Sequence, residues 1–222
     1  MRTEKVISIP GAVSKVKDGD TIMFGGFLSD GAALQLIDAL VSADRKNLTL
    51  IANDTSFPDK GIGQLIVHHQ VKKVMASHIG TNKETGRQMN AQEIEVELIP
   101  QGTLAERIRA AGFGLGGVLT PTGIGTLVED GKQKIEIDGN EFLLEKPLKA
   151  DFAFIFAEKA DTFGNLVYKG SANNFNHVMA TAANTTIVEV ETLLDCGEID
   201  PNEVVTPGIF VDFIVKRGDA RG

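Results

Sequence analysis

Short apolar runs alternate with helix-period segments along this chain. "TIMFGGF" (21–27), "NLTLIAND" (47–54), "VKKVMAS" (71–77) and "ADFAFIFAEKAD" (150–161) read as strands. The first and last carry few charges in their centres, as strands buried on both faces of a parallel sheet do. "EIEVELIP" (93–100) alternates, with Ile94, Val96 and Leu98 to one side. "TTIVEVE" (185–191) and "GIFVDFIVKR" (208–217) supply two more strands. Between them, "AALQLIDALV" (32–41) places Leu34, Ile37, Leu40 and Val41 on one helical face. "GIGQLIVHH" (61–69) and "NNFNHVMATAAN" (173–184) read as helices, and "KETGRQMN" (83–90) as a short polar segment. "SIPGAVSKVKDGD" (8–20) predicts a short helix capped by Ser8, with Pro10 in its first turn and Asp18-Gly19 at its end. In "GTLAERIRAAG" (102–112), the Thr103–Glu106 spacing is that of a capping box and predicts a helix starting at Thr103.

Strands alternating with helices predict an α/β fold, a largely parallel sheet flanked by helices. "KQKIEIDGNEFLLEK" (132–146) has two alternating runs around Asp138-Gly139, so a β-hairpin excursion is expected near 129–146. No linker separates two domains, and residues 1–222 are expected to form one.

Composition narrows the function classes. The formal net charge is −8, and the longest basic run, Lys72-Lys73, reads as a solvated strand edge. That argues against nucleic acid as a partner. No apolar stretch approaches a membrane span, and the N-terminus carries no secretory h-region, so a cytoplasmic address is expected. Cys196 is the single cysteine, which rules out an intrachain disulfide. Twenty-four glycines are more than an average domain of 222 residues carries, and point to turns or close backbone approach.

Candidate chemistry centres on "GGFLSDG", residues 25–31, between a strand and a helix. The spacing is neither a dinucleotide fingerprint nor a phosphate loop. What remains is a glycine turn whose N–H groups, with the helix N-terminus behind them, suit an anion or a polarised carbonyl. Gln101 follows a strand and Pro100, where parallel sheets place chemistry. His68, His69, His78 and His177 show no metal-ligand spacing, Cys196 reads as a structural thiol, and Glu106 as a helix cap. "TPTGIG" (120–125) fits a substrate loop or a simple turn equally well.

Whole blocks add to this. "DGDTIMFGGFLSDGAALQLIDAL", "NDTSFPDKGIGQLIV", "ASHIGTNKETGRQM", "ELIPQGTLAERIRAAGFGLGG", "TPTGIGTLVEDGK" and "LEKPLKADFAFIFAEKADTFGNLVY" occur in order over nearly the whole chain. Together they resemble the α subunit of the family I CoA-transferases, nearest the acetate/butyrate–acetoacetate type. The resemblance implies CoA transfer between a thioester and a carboxylate by a ping-pong route, with CoA as substrate and no permanently bound cofactor. It implies an oxyanion donor at Gln101 and CoA or substrate contact at Gly25, Gly26, Phe27, Leu28, Ser29, Asp30 and Gly31. The family nucleophile is a glutamate in a Ser-Glu-Asn-Gly motif of the β subunit, and this chain has no such motif. Glu129, before Asp130-Gly131, falls at the hairpin entrance and reads as surface. A β-subunit partner and an α2β2 assembly are therefore expected.

Two positions depart from the family pattern: Ala33 where a proline is usual, and Asn173 where an arginine is common. Asn53-Asp54 stands where the succinate and 3-oxoadipate branches typically carry two asparagines, which sets the chain nearer the acetate/butyrate type. Two other classes remain in view. A sugar-phosphate isomerase would need its own base, for which Asp54 and Asp59 are the candidates. A sensor binding a phosphorylated or CoA metabolite would need no nucleophile at all.

Overall fold

The structure, a computed structural model, describes residues 5–218. In chain order the elements are α1 (Ile9–Val13), β1 (Thr21–Phe24), α2 (Leu34–Ser42), β2 (Leu48–Asp54), α3 (Gly63–Val67), β3 (Val71–His78), α4 (Lys83–Asn90), β4 (Glu95–Leu98) and α5 (Gln101–Gly112). There follow β5 (Val118–Thr120), β6 (Lys134–Ile137), β7 (Asn140–Glu145), β8 (Ala150–Asp161), β9 (Leu166–Val167), α6 (Asn176–Met179), β10 (Ala183–Leu194) and β11 (Phe213–Lys216).

The main sheet runs β11-β10-β8-β1-β2-β3-β4, all parallel, with β9 antiparallel on β8. Strand periodicity explains its two filled faces. In β1, Ile22 and Phe24 join the cluster built on Leu36, Ile37 and Leu40 of α2 and Leu65 and Ile66 of α3. Met23 points the other way, into the cluster with Leu104 and Ile108 of α5 and Met179 of α6. Every parallel strand therefore ends on the same edge, and the loops beyond that edge form the site. The expected hairpin is present. Asp138 and Gly139 both take positive φ (50° and 77°), the geometry of a two-residue hairpin turn, and β5 joins as a third strand.

Several elements differ from their sequence expectation. α5 starts at Gln101, not Thr103, and Pro100 stands at its cap position with no side-chain bond. The capping box does not form: Thr103 Oγ1 is buried without a hydrogen-bond partner, and Glu106 pairs with Arg109 at 2.6 Å. The chain enters the helix directly from Pro100, so Thr103 is already inside the first turn. "KETGRQMN" is the helix α4, capped by Asn82, whose Oδ1 accepts from Glu84 N–H at 3.1 Å. Its polarity hid the helical period. Leu98, expected to share a buried face with Ile94, is 52% exposed at the strand end. α1 stops at Val13, and only Asn176–Met179 of the 173–184 stretch is α-helical. Residues Gly208–Phe210 form a 3-10 turn rather than strand, and Gly208 lies so close to Phe163 that a Cβ there would meet its carbonyl oxygen at 2.6 Å. The outer edge of β11 is covered by the chain's own segment 5–7: Ile7 N–H donates to Ile214 O (2.9 Å) and Ile214 N–H to Lys5 O (2.8 Å).

Candidate active site

Beyond β1 the backbone folds into a tight knot. Phe27 and Asp30 exchange N–H···O bonds of 2.9 Å, with Leu28 (φ 49°) and Ser29 (φ 72°) in the left-handed region between them. Gly25 has to be glycine, since a Cβ there would run into Asn176 Oδ1. Most N–H groups of the turn are used to hold its shape. Gly25 donates to Phe154 O (3.1 Å), Gly26 to Asn174 Oδ1 (3.0 Å) and Leu28 to Asp54 Oδ2 (2.9 Å). Ser29 Oγ bonds Ser56 Oγ, and Asn176 Nδ2 donates to Gly31 O at 2.9 Å. What the turn offers outward is the Phe27 ring, 52% exposed, and the exposed Asp30 side chain.

The helix behind the turn lacks a cap of its own. Ala33, at the cap position, keeps a φ of −77° that a proline would also adopt, and makes no side-chain bond. The missing cap comes from β10: fully buried Glu189 accepts from Leu36 N–H at 2.9 Å through Oε2 and pairs with Arg217 at 2.8 Å through Oε1. Burial nonetheless pushes the Glu189 carboxyl above its ordinary range, against those bonds.

Gln101 sits at the first position of α5, where β2 and β3 also end. Its Nε2 donates to Asn53 Oδ1, and its Oε1 lies against Ser77 Oγ. Ser77 Oγ is also 2.7 Å from the Asn53 carbonyl oxygen. Asn53 Nδ2 donates to Asp54 Oδ2 (2.9 Å), and Ser56 N–H donates to Asp54 Oδ1 (2.7 Å). The exposed Gln101 thus rests on a buried bed of Asn53 and Asp54.

Two sequence-predicted pieces meet here. An open cleft with about 820 Å³ of empty space, counted out to solvent, is lined by Phe27, Gln101, Ala105, Phe175 and Val178, with Glu106 and Arg109 at its rim. Ser29, Asp30 and Gly31 instead line a second opening, beside Phe156, Glu158 and Arg217. The turn therefore separates two openings. The cleft's own carboxylate, Glu106, is held by Arg109, whose guanidinium keeps its pKa below the usual carboxylate range.

The sequence pattern of the Coenzyme A transferase family matches residues 6–217. The chain belongs to the coenzyme A transferase family. The acetate CoA-transferase subunit alpha of Escherichia coli (strain K12) is 53% identical over 217 residues, 98% of this chain and 99% of that one. The acetoacetyl-CoA:acetate/butyrate CoA transferase alpha subunit of Clostridium acetobutylicum is 54% identical over 213 residues, 96% of this chain and 98% of that one. An acyl-CoA transferase from E. coli O157:H7, solved as a thioester complex with CoA, superposes with a TM-score of 0.86 at 25% identity, over 96% of this chain and 50% of that one. This chain thus spans half the length of that one. Glutaconate coenzyme A-transferase from Acidaminococcus fermentans shares the fold, with a TM-score of 0.86 at 22% identity over 96% of this chain and 75% of that one.

As a CoA-transferase chain of the α type, it brings His177 into the cleft lining, with Nδ1 buried and unpartnered, and holds Glu129 and Asp59 away from it. Glu129 accepts from Gly125 N–H (2.7 Å) and pairs with Lys134 (3.1 Å) beside the small antiparallel sheet; those partners lower its pKa. Asp59 lies in another depression, with Lys60 and Gln64. Asp54 accepts three N–H donors and has no oxygen free for base chemistry, which removes the anchor of the isomerase reading. Among the described residues, no group of three or more His, Cys, Asp or Glu is placed to hold a metal ion. Residues 120–125 are absent from the cleft lining, and Gly123 packs closely on Val128. Asn173 leaves its Oδ1 buried without a partner. Cys196 is exposed.

Four residues that shape the site were not singled out for it from sequence: Asn53, Ser77, Asn174 and Asn176. Asn176 is fully buried, and its Oδ1 accepts from Phe156 N–H at 3.1 Å while its Nδ2 holds Gly31 O and Ala172 O. Their only linear signal was membership in the blocks "NDTSF", "ASH" and "SANNFN".

Proposed function

We propose that this chain is the α subunit of a short-chain acyl CoA-transferase, moving CoA between acetoacetyl-, butyryl- or acetyl-CoA and a free carboxylate, with the nucleophile on a β subunit. One observation carries the reading: Gln101 and Phe27 share a cleft at the carboxyl ends of the parallel strands, and the cleft's single carboxylate is tied to a guanidinium. Such a cleft offers a donor for a developing oxyanion and no free carboxylate to act as nucleophile. The acyl groups are those in the names of the two bacterial relatives.

In the proposed cycle the partner's glutamate attacks the thioester carbonyl. The tetrahedral oxyanion takes a hydrogen bond from Gln101 Nε2, then collapses to an acyl–glutamyl anhydride and CoA thiolate. The thiolate attacks the glutamyl carbonyl, releasing the first carboxylate and leaving a glutamyl-CoA thioester. The second carboxylate attacks that thioester and releases CoA thiolate. CoA then takes the acyl group and frees the glutamate. Each step exchanges one anion for another, so no base is required.

The proposed assembly is a cytoplasmic α2β2 complex. Among the described residues, no helix is long and apolar enough to cross a membrane. The test is to incubate the coexpressed complex with acetoacetyl-CoA, trap the covalent species with borohydride, and locate it by peptide mass. Modification of a glutamate on the partner chain is expected. Modification of Glu106 or Glu129 of this chain would overturn the reading.

A further inference from the structure

The Gln101 amide has two faces that a structure of the heavy atoms alone does not tell apart, and only one presents N–H to an oxyanion. Its neighbours do not all favour the same face, and a carboxylate decides between them. Ser77 Oγ has one proton for two acceptors, Gln101 Oε1 and the Asn53 carbonyl oxygen; with the amide reversed it would accept from Gln101 and donate to Asn53, so Ser77 by itself favours the reversed face. Asn53 is itself an amide and would follow Gln101 in a concerted flip. Asp54 is different. A carboxylate only accepts, and Asp54 is filled by the N–H groups of Leu28 and Ser56 and by Asn53 Nδ2 at 2.9, 2.7 and 2.9 Å. Asn53 must turn its NH2 toward Asp54, so its Oδ1 faces Gln101. Gln101 must then turn its NH2 toward Asn53, and its second N–H is left for the cleft.

We infer that Asp54 is a positioning residue that acts through Asn53 to fix which face of the Gln101 amide meets the reacting carbonyl. The same carboxylate holds Leu28 N–H, so it also locks the glycine turn to the carboxyl end of β2. Both residues are buried, Asn53 at 1% and Asp54 at 5% exposure, so water does not compete for these bonds. An asparagine at position 54 would have donor and acceptor of its own and would leave the relay able to run in either sense. The inference rests on the proposed role of Gln101.

The test uses the coexpressed complex and four versions of this chain: native, Asp54→Asn, Gln101→Ala and the double variant. Asp54→Asn is expected to lower kcat on the order of tenfold, the factor that about one net hydrogen bond supplies. The KM for acetoacetyl-CoA should stay within about twofold, and in the Gln101→Ala background the same change should cost nothing further. A kcat unchanged by Asp54→Asn, or an equal loss in both backgrounds, would overturn the relay. Should Asp54→Asn fail to assemble, Asn53→Ser removes the middle of the relay and leaves the Leu28 and Ser56 bonds in place. It carries the same expectation and the same overturning results. Failure of the underlying reading is visible separately, as full activity of Gln101→Ala with Asp54 intact.

Discussion

A free glutamine amide has no preferred direction in water. Gln101 acquires one from Asn53, 48 positions away, which Asp54 in turn orients. Its own position was legible: a strand, a proline and a helix in "ELIPQGTLAER" put it at the carboxyl edge of the sheet. Its supports were not legible, because an asparagine that bonds backbone across the fold leaves no period in the sequence. Asn176, reaching Gly31 across 145 residues, is the clearest case. Two outcomes are expected at this scale. Gln101→Ala should lower kcat by about 10²–10³-fold, the usual loss for an oxyanion donor, with the complex intact by size-exclusion and steady-state rates as the measure. Asn176→Ala strands the Phe156 N–H in the core. It should destabilise the protein by about 1–3 kcal/mol, read as a lower midpoint in chemical denaturation.

At the scale of elements, sequence rules succeeded where backbone geometry was local and failed where two local rules competed. Asp138-Gly139 placed the hairpin turn correctly, since both residues need positive φ and few others accept it. Thr103 and Glu106 have capping-box spacing, yet Pro100 starts the helix first and Arg109 claims the glutamate. α4 was missed because its stability is polar. Arg87 pairs with Glu84 at 2.8 Å and with Glu93 at 2.7 Å, tying the helix to the segment that leads into β4. The hydrogen bonds from Arg87, and then from Gln88, hold the Glu84 carboxyl down at about 2 against an ordinary 4.5. A carboxylate with a lowered folded pKa stabilises fully above its unfolded value and loses that contribution as pH falls toward the folded one. The Glu84 contribution is therefore present above pH 4.5 and fades between 4.5 and about 2. In Arg87→Ala the melting temperature should be lower at neutral pH and fall less steeply over that acid window. An unchanged acid slope in calorimetry at matched ionic strength would contradict this role for α4.

At the scale of the molecule, alternating strands and helices foretold a parallel sheet, but not its order. β8, 12 residues long, lies between β1 and the equally long β10, and those pairings depend on contacts far apart in sequence. The cleft itself arises only when the turn after β1, the start of α5 and the α6 segment converge, so it could be named in parts but not assembled from the sequence. Large apolar side chains remain uncovered away from the core: Leu127 is 88% exposed, Ile209 80% and Phe113 64%. They accord with a chain that works beside a partner. If the oxyanion donor is on this chain and the nucleophile on that partner, neither chain works alone. CoA exchange between acetoacetyl-CoA and butyrate, measured with this chain alone and with the coexpressed β chain, decides it. Exchange is expected in the complex and none above background with this chain alone; exchange by this chain alone would place the nucleophile here and refute the division of roles.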